Sequence, residues 1–339
     1  MGGRNESSLN DVTTNDPRVS IIVPLYNSSI HITNCIDNIK GQSYDNNEII
    51  IVVDSKCSDD TFEKVTDISS KLKNIIIIEQ KDNLRSGGAR NLGLDAATGD
   101  YVWFLDVDDY PHPNFISEML EIISGYGNDV VVCNHYYSHK NKIIDPPVKE
   151  YRIIEMTGRE AMEGISLGKI PIPSWNKLYR RLFLIDNKLR FSSGYSEDYD
   201  YSMHSFMNAD KVIYYNKPLY TYVLTDKSRS VGAGDNIVRA DVEETMKVAD
   251  SLKGNKEEYV NFCAKSFRHL LRSMTNASRK TFRELSRTDE VKMLSKCKQE
   301  TFSLEVTIYR LSPSLYYAIG RTARKLKFSK KNLLFDKNI

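Results

Sequence analysis

Residues 99–109 read Gly-Asp-Tyr-Val-Trp-Phe-Leu-Asp-Val-Asp-Asp. An apolar run, Tyr101 to Leu105, stops in three carboxylates within four positions: Asp106, Asp108 and Asp109. Five apolar residues bounded by Gly99 and a charge cluster read as a buried strand. In open α/β sheets ligands bind just beyond the carboxyl ends of the strands, which is where these acids fall. If the chain stays extended, Asp106 and Asp108 share one face and Asp109 takes the other. Adjacent carboxylates repel unless a cation lies between them. Oxygen ligands of this kind suit Mg²⁺ or Mn²⁺, which bridge carboxylates to substrate phosphates. The segment also reads as a solvated Asp-rich turn ahead of a helix that begins near Pro113.

Outward from this strand, elements alternate. Val19–Val23 reads as a first strand closed by Pro24, and residues 30–39 have helical spacing. Glu48–Val53, Ile75–Ile78 and Val130–Cys133 read as further strands; Thr61–Leu72, Arg90–Ala97 and Phe115–Ile123 read as helices. Strands alternating with helices predict a mostly parallel, Rossmann-like α/β sheet, whose doubly covered strands are continuous Val/Ile runs. Past residue 145 the pattern loosens around Pro146, Pro147, Pro171 and Pro173, and beyond Asn236 it becomes helical.

The chain has 339 residues, 40% hydrophobic and 27% charged, which predicts a globular protein of about two domains. No run approaches the ~18–20 apolar residues of a spanning helix. The polar N-terminus reads as a disordered tail over 1–16 rather than a signal peptide. Five cysteines without a Cys-x-x-Cys pair predict free thiols in a reducing cytoplasm. The net charge of +2 conceals an asymmetry. From Lys253 to Ile339 there are 20 Lys and Arg against 8 Asp and Glu, a net of +12; the remainder holds 27 against 37, or −10.

Other strand ends meet the aspartates. The first strand runs into Pro24-Leu25-Tyr26-Asn27 with no glycine fingerprint for a dinucleotide. Tyr26 is suited to stack on a base, at about 1–3 kcal/mol for a base–aromatic contact. Asp54 ends the second strand and can accept from a base N–H. Arg90, at the start of its expected helix, falls where an anion is favoured. A base stacker, a base acceptor, an anion binder and a metal site along one sheet edge make a nucleoside-diphosphate site.

These motifs resemble family 2 glycosyltransferases of the GT-A fold. The segments that carry the resemblance are Val-Ser-Ile-Ile-Val-Pro-Leu-Tyr-Asn at 19–27, the segment 48–61 ending its strand in Asp54, and the Asn…Ala-Arg-Asn-x-Gly segment at 83–93. Asp106-Val-Asp108-Asp109, Pro173-Ser-Trp-Asn-Lys-Leu-Tyr179 and Gly194-Tyr-Ser-Glu-Asp198 follow in the same order. The resemblance implies a GT-A catalytic domain over 17–228 and a basic helical region over 229–339. It also implies an inverting transfer of sugar from a nucleotide-sugar donor, expected to be a UDP-sugar, to a glycan or lipid-linked acceptor. By the same resemblance Pro24, Tyr26, Asp54, Arg90 and Asp106 contact the nucleotide-sugar, Asp108 ligates Mn²⁺ or Mg²⁺, and Asp198 is the general base with Glu197 orienting it. One departure is Ser55, where many members carry a second acid, followed by Lys56 in place of glycine.

Lesser expectations are Trp175 as an acceptor-side platform, Lys177 as a phosphate contact and Arg229 in a loop closing over the donor. Ser312-Pro313 reads as the start of a last helix. Its apolar face of Leu315, Tyr316, Ile319, Ala323 and Leu326 is ringed by Arg321, Arg324, Lys325 and Lys327, with Lys330 and Lys331 beyond. Such a helix suits an anionic membrane surface and predicts a cytoplasmic protein peripheral to the inner face. A sugar-nucleotide nucleotidyltransferase is expected to carry a basic, glycine-rich loop after the first strand, and Pro24–Ser29 has neither. A sugar-nucleotide-binding protein without catalysis is the other alternative. No helix-turn-helix or RNP-like signature points to nucleic acid.

Overall fold

The computed structural model describes residues 16–82, 85–139, 142–144, 146, 148, 150–224, 234–297 and 303–323. Its strands are β1 (Val19–Leu25), β2 (Asn47–Asp54), β3 (Ile75–Gln80), β4 (Tyr101–Phe104), β5 (Tyr110–Pro111), β6 (Val130–His139), β7 (Lys142–Ile144), β8 (Ile153–Thr157), β9 (Lys177–Arg180) and β10 (Lys211–Leu224). They form one sheet in the order β3-β2-β1-β4-β9-β6-β10-β5, with β7 on β6 and β8 on β10.

The parallel expectation holds for β3, β2, β1 and β4, in registers such as Ile21↔Ile49 and Ile22↔Phe104. The sheet then becomes mixed, because β9 runs antiparallel to both β4 and β6. β6 and β10 return to parallel pairing with a bulge at Tyr215–Pro218, where Pro218 interrupts a strand of fourteen residues. β1 is not closed by Pro24 as expected: Pro24 pairs with Val52 and the strand continues through Leu25.

Helices α1 (Ile32–Lys40), α2 (Thr61–Ser69) and α4 (Phe115–Tyr126) cover one face. On the other face lie α3 (Arg85–Ala96), α5 (Gly158–Ser166), α6 (Arg181–Asp186) and α7 (Glu197–Asn208). The strands bury both faces, so Ile21 and Ile22 point into opposite cores and are both fully covered. Each such side chain contributes about 1.5–3 kcal/mol by leaving water. α3 lies close on β1 because Gly93 has no side chain; a Cβ there would collide with Ile22. The core under α7 continues into α8 (Asp235–Ser251), α9 (Lys256–Met274), α10 (Arg279–Leu285), α11 (Asp289–Lys296) and α12 (Leu304–Leu311).

A further helical segment runs from Pro313 over 313–323, and it divides the expected apolar face. Tyr316 is buried with Tyr309, whereas Leu315 and Ile319 are 52% and 45% exposed. Leu326, Arg324, Lys325, Lys327, Lys330 and Lys331 lie outside the described residues, as does the N-terminal tail over 1–15. Among the described residues no helix is long and apolar enough to cross a membrane.

Candidate functional site

The aspartates leave β4 as a turn rather than as an extended strand. The strand ends at Phe104, and Asp109 N–H turns back to the Asp106 carbonyl at 3.4 Å. The expectation that Asp106 and Asp108 share a strand face therefore gives way to a turn that buries Asp109 and leaves Asp106 and Asp108 partly exposed and close enough to repel. Asp109 is buried, accepting from Tyr220 Oη at 3.0 Å and from Val223 N–H at 2.8 Å. Burial first, and then Asp106 and Asp108, push its carboxyl well above the usual range. Asp109 anchors the turn to β10. Asp108 is half-buried and has no hydrogen-bond or ion-pair partner among the described residues. Asp106 is held by Arg90.

Arg90 is the hub. It was expected to open a helix and face an anion. The helix instead begins at Arg85, and Arg90 sits in its second turn, 1% exposed. Its Nη2 lies 2.7 Å from Asp106 Oδ1, and its Nη1 lies 3.4 Å from Glu197 Oε1 and 3.8 Å from Asp198 Oδ1. Burial opposes its charge, but Asp106, Asp198 and Glu197 together hold it protonated above its ordinary range. Asp106 is raised by burial and by Asp198 and Asp108, against Arg90. In this structure Arg90 orders carboxylates, with its guanidinium turned inward.

The adjacent acids of α7 have different roles. Glu197 is buried; its Oε1 takes Ser86 Oγ at 2.6 Å as well as Arg90. Asp198 keeps a quarter of its side chain exposed. Its Oδ1 accepts from Ser174 N–H at 3.2 Å and Ser174 Oγ at 2.7 Å, and no described residue takes its Oδ2. Ser174 carries no signal of its own in the sequence, although it lies inside the Pro-Ser-Trp-Asn-Lys segment.

On the other side of the turn, Tyr26 stands at the end of β1 with 60% of its surface in solvent, as a stacking residue requires. Asp54 is buried at the end of β2, accepting from Lys56 N–H at 2.9 Å and Gln80 Nε2 at 3.1 Å. Pro24 lies within β1 beside Val52. Gln80, which sequence reasoning missed, orients Asp54, while its own Oε1 is buried without a partner.

Two expectations are corrected. Trp175 is 3% exposed, stacked on Tyr220 at 4.3 Å and Tyr222 at 5.4 Å, with its carbonyl accepting from Trp103 Nε1 at 2.8 Å. It is packed as a core aromatic and offers no open platform. Lys177 is fully buried with Nζ bonded to backbone carbonyls, which leaves it no surface for a phosphate contact. Arg229 lies outside the described residues.

Among the described residues no three acidic, His or Cys side chains converge as a cage. Asp108 is unclaimed, with Asp106 beside it, and one or two carboxylates completed by substrate phosphates is the usual Mg²⁺-type arrangement. The residues fit an ion that arrives with a diphosphate.

Residues 20–187 match the family model described as glycosyl transferase family 2. The chain is 31% identical over 213 residues to the putative glycosyltransferase EpsH of Bacillus subtilis, covering 61% of this chain and 60% of that one. It is 32% identical over 232 residues to glycosyltransferase GlyA of Streptococcus pneumoniae, covering 63% of this chain and 32% of that one. The match thus spans less than two thirds of either relative. The fold resembles S. aureus TarS 1–349 in complex with UDP-GlcNAc, at a TM-score of 0.66 and 19% identity over 91% of this chain and 92% of that one. It also resembles mannosyltransferase PcManGT of Pyrobaculum calidifontis in complex with GDP-Man and Mn²⁺, at a TM-score of 0.56 and 16% identity over 92% and 88%. At these identities the structural likeness is one of fold.

Proposed function

The chain belongs to glycosyl transferase family 2, and from that premise we propose that it moves a sugar from a nucleotide-diphosphate donor, a UDP-sugar, to an acceptor hydroxyl with inversion. The observation that carries the reading is that two carboxylates remain available around the cluster ordered by Arg90: Asp108, which acts on Asp106 and takes no described partner, and Asp198 through its Oδ2. One suits the diphosphate end, the other the acceptor. Tyr26 would lie against the base and Asp54 would bond to it.

The reaction is a single displacement. Asp198 Oδ2 takes the proton of the acceptor hydroxyl as that oxygen bonds to the anomeric carbon. The bond from that carbon to the diphosphate breaks, and its electron pair leaves with the nucleotide. A positioned base of this kind contributes about 10²–10⁴-fold. Asp108, with Asp106 beside it, would hold Mn²⁺ or Mg²⁺. Such an ion, when bound, supplies Lewis-acid stabilisation of the charge on the departing diphosphate.

The acceptor is read as a glycan or lipid-linked glycan. Exposed Leu311, Leu315 and Ile319, at 81%, 52% and 45%, beside a region of net charge +12, support peripheral contact with an anionic membrane. A thermal-shift panel of nucleotide-sugars with Mn²⁺ tests the donor. A ligand at 100 times its Kd stabilises by about 2.7 kcal/mol, and no shift with any nucleotide diphosphate overturns the reading. Asp198→Asn is expected to abolish transfer without loss of donor binding; near-normal rates remove Asp198 as the base.

A further inference from the structure

Lys177 is a fully buried cation with no carboxylate at ion-pair distance. Removing an ammonium from water costs several kcal/mol unless its protons are all bonded. Here they are. Nζ faces the carbonyls of Pro171 at 3.0 Å, Ile172 at 3.1 Å and Pro173, together with Asn176 Oδ1 at 3.2 Å. Four acceptors and no donor match the protonated amine, although burial pushes its pKa down to about 7.

Three consecutive carbonyls converging on one point belong to no strand or helix ladder; residues 171–173 have no regular structure. Two further ties hold the same loop. Ser202 Oγ, on α7, donates to the Ile172 carbonyl at 2.6 Å, and Asn176 Nδ2 donates to the Cys133 carbonyl at 2.6 Å. The next residue after the three carbonyls is Ser174, whose two donors both reach Asp198 Oδ1.

We infer that Lys177 is a positioning residue for sugar transfer: its ammonium fixes the loop 171–173 so that Ser174 grips Asp198 by Oδ1 and leaves Oδ2 to the acceptor hydroxyl. The inference rests on Asp198 as the base. It gives the buried charge a reason. Three carbonyls are held by one ammonium, and the carboxylate of α7 is aimed by a loop that belongs to the sheet.

The test uses the full chain and the donor that gives the largest thermal shift. Lys177→Met keeps the length and removes the donors. It is expected to lower kcat about tenfold, the scale of a hydrogen bond to a charged group, with KM and Kd for the donor unchanged. The acid limb of the pH–rate profile should move to higher pH, because a carboxylate that loses donors is a stronger base. Ser174→Ala should give the same pattern, and the double variant should be no slower than the slower single one. If Lys177→Met does not fold, Ser202→Ala decides, since it releases the same Ile172 carbonyl without touching the buried charge; a smaller fall in kcat alone is expected. Unchanged kcat in these variants, or a parallel loss of donor affinity, overturns the inference. If Asp198→Asn leaves transfer intact, the parent reading fails instead.

Discussion

Arg90 Nη2 and Asp106 Oδ1 meet at 2.7 Å and join the second turn of α3 to the end of β4. The same guanidinium reaches Glu197 and Asp198, more than a hundred residues further along the chain. The carboxylates proposed for the diphosphate and for the base are therefore balanced on one buried charge.

Removing that charge leaves three carboxylates facing one another. Arg90→Met is expected to destabilise the fold by about 3–5 kcal/mol, the usual cost of breaking a buried ion pair from one side. The loss should shrink at acid pH, because Asp106, whose carboxyl burial already raises, then gives up its charge. Urea unfolding across pH checks both points. A variant as stable as the parent at pH 7 would contradict the hub.

Asp108 has no described partner, so its loss costs the fold little. Asp108→Asn should leave the melting temperature nearly unchanged. It should remove the extra stabilisation that Mn²⁺ gives in the presence of a nucleotide diphosphate. Calorimetric titration of UDP with and without Mn²⁺ measures it; persistence of the metal effect would move the ion elsewhere.

His135 is buried, with its Nδ1 unpartnered and its ring edge-on to Trp175. Burial, and then Lys177, push its pKa down to about 4. The unfolded chain takes up this proton near pH 6.5 and the folded chain only near pH 4. Stability is therefore lost as pH falls between those values, by up to about 3 kcal/mol. His135→Phe should flatten that part of the stability profile; an unaltered acid slope would count against it.

Arg85 opens α3 with a left-handed φ of +57° and lays its guanidinium 3.9 Å over the Tyr195 ring. Left-handed backbone costs an ordinary residue about 1–2 kcal/mol, and the stacked cation returns about 0.5–1. Arg85→Ala keeps the strain and loses the stack, whereas Arg85→Gly loses both. The glycine variant is expected to be more stable than the alanine variant by about 1 kcal/mol, the reverse of their order inside a helix. Comparing their denaturation midpoints decides.

Much of this was legible in the chain. β2 and β4 are built on the apolar runs Ile49–Val53 and Tyr101–Leu105, which stop at Asp54 and Asp106, and β1 departs from such a run only at Ser20 before Pro24, so their positions and the acids beyond them follow from hydrophobic pattern. β9 was not legible, because four residues beginning with Lys177 and ending with Arg180 look like surface. Pro218 and a bulge hid the length of β10. In the sequence the site shows only as separate residues with separate tasks. That Arg90 turns inward to Asp106, Glu197 and Asp198, and that Ser174 carries Asp198, depend on contacts across 16 to 108 positions, which no local spacing encodes.

The bond from Trp103 Nε1 to the Trp175 carbonyl ties the middle of β4 to the loop that carries Ser174. This has a practical consequence for building chimaeras. A graft meant to change the acceptor while keeping the donor must leave residues 171–180 with the nucleotide half, although they lie far along the chain from it. The junction belongs after Leu224, where β10 ends, and a cut made between Ser174 and Asp198 would separate the proposed base from the loop that aims it.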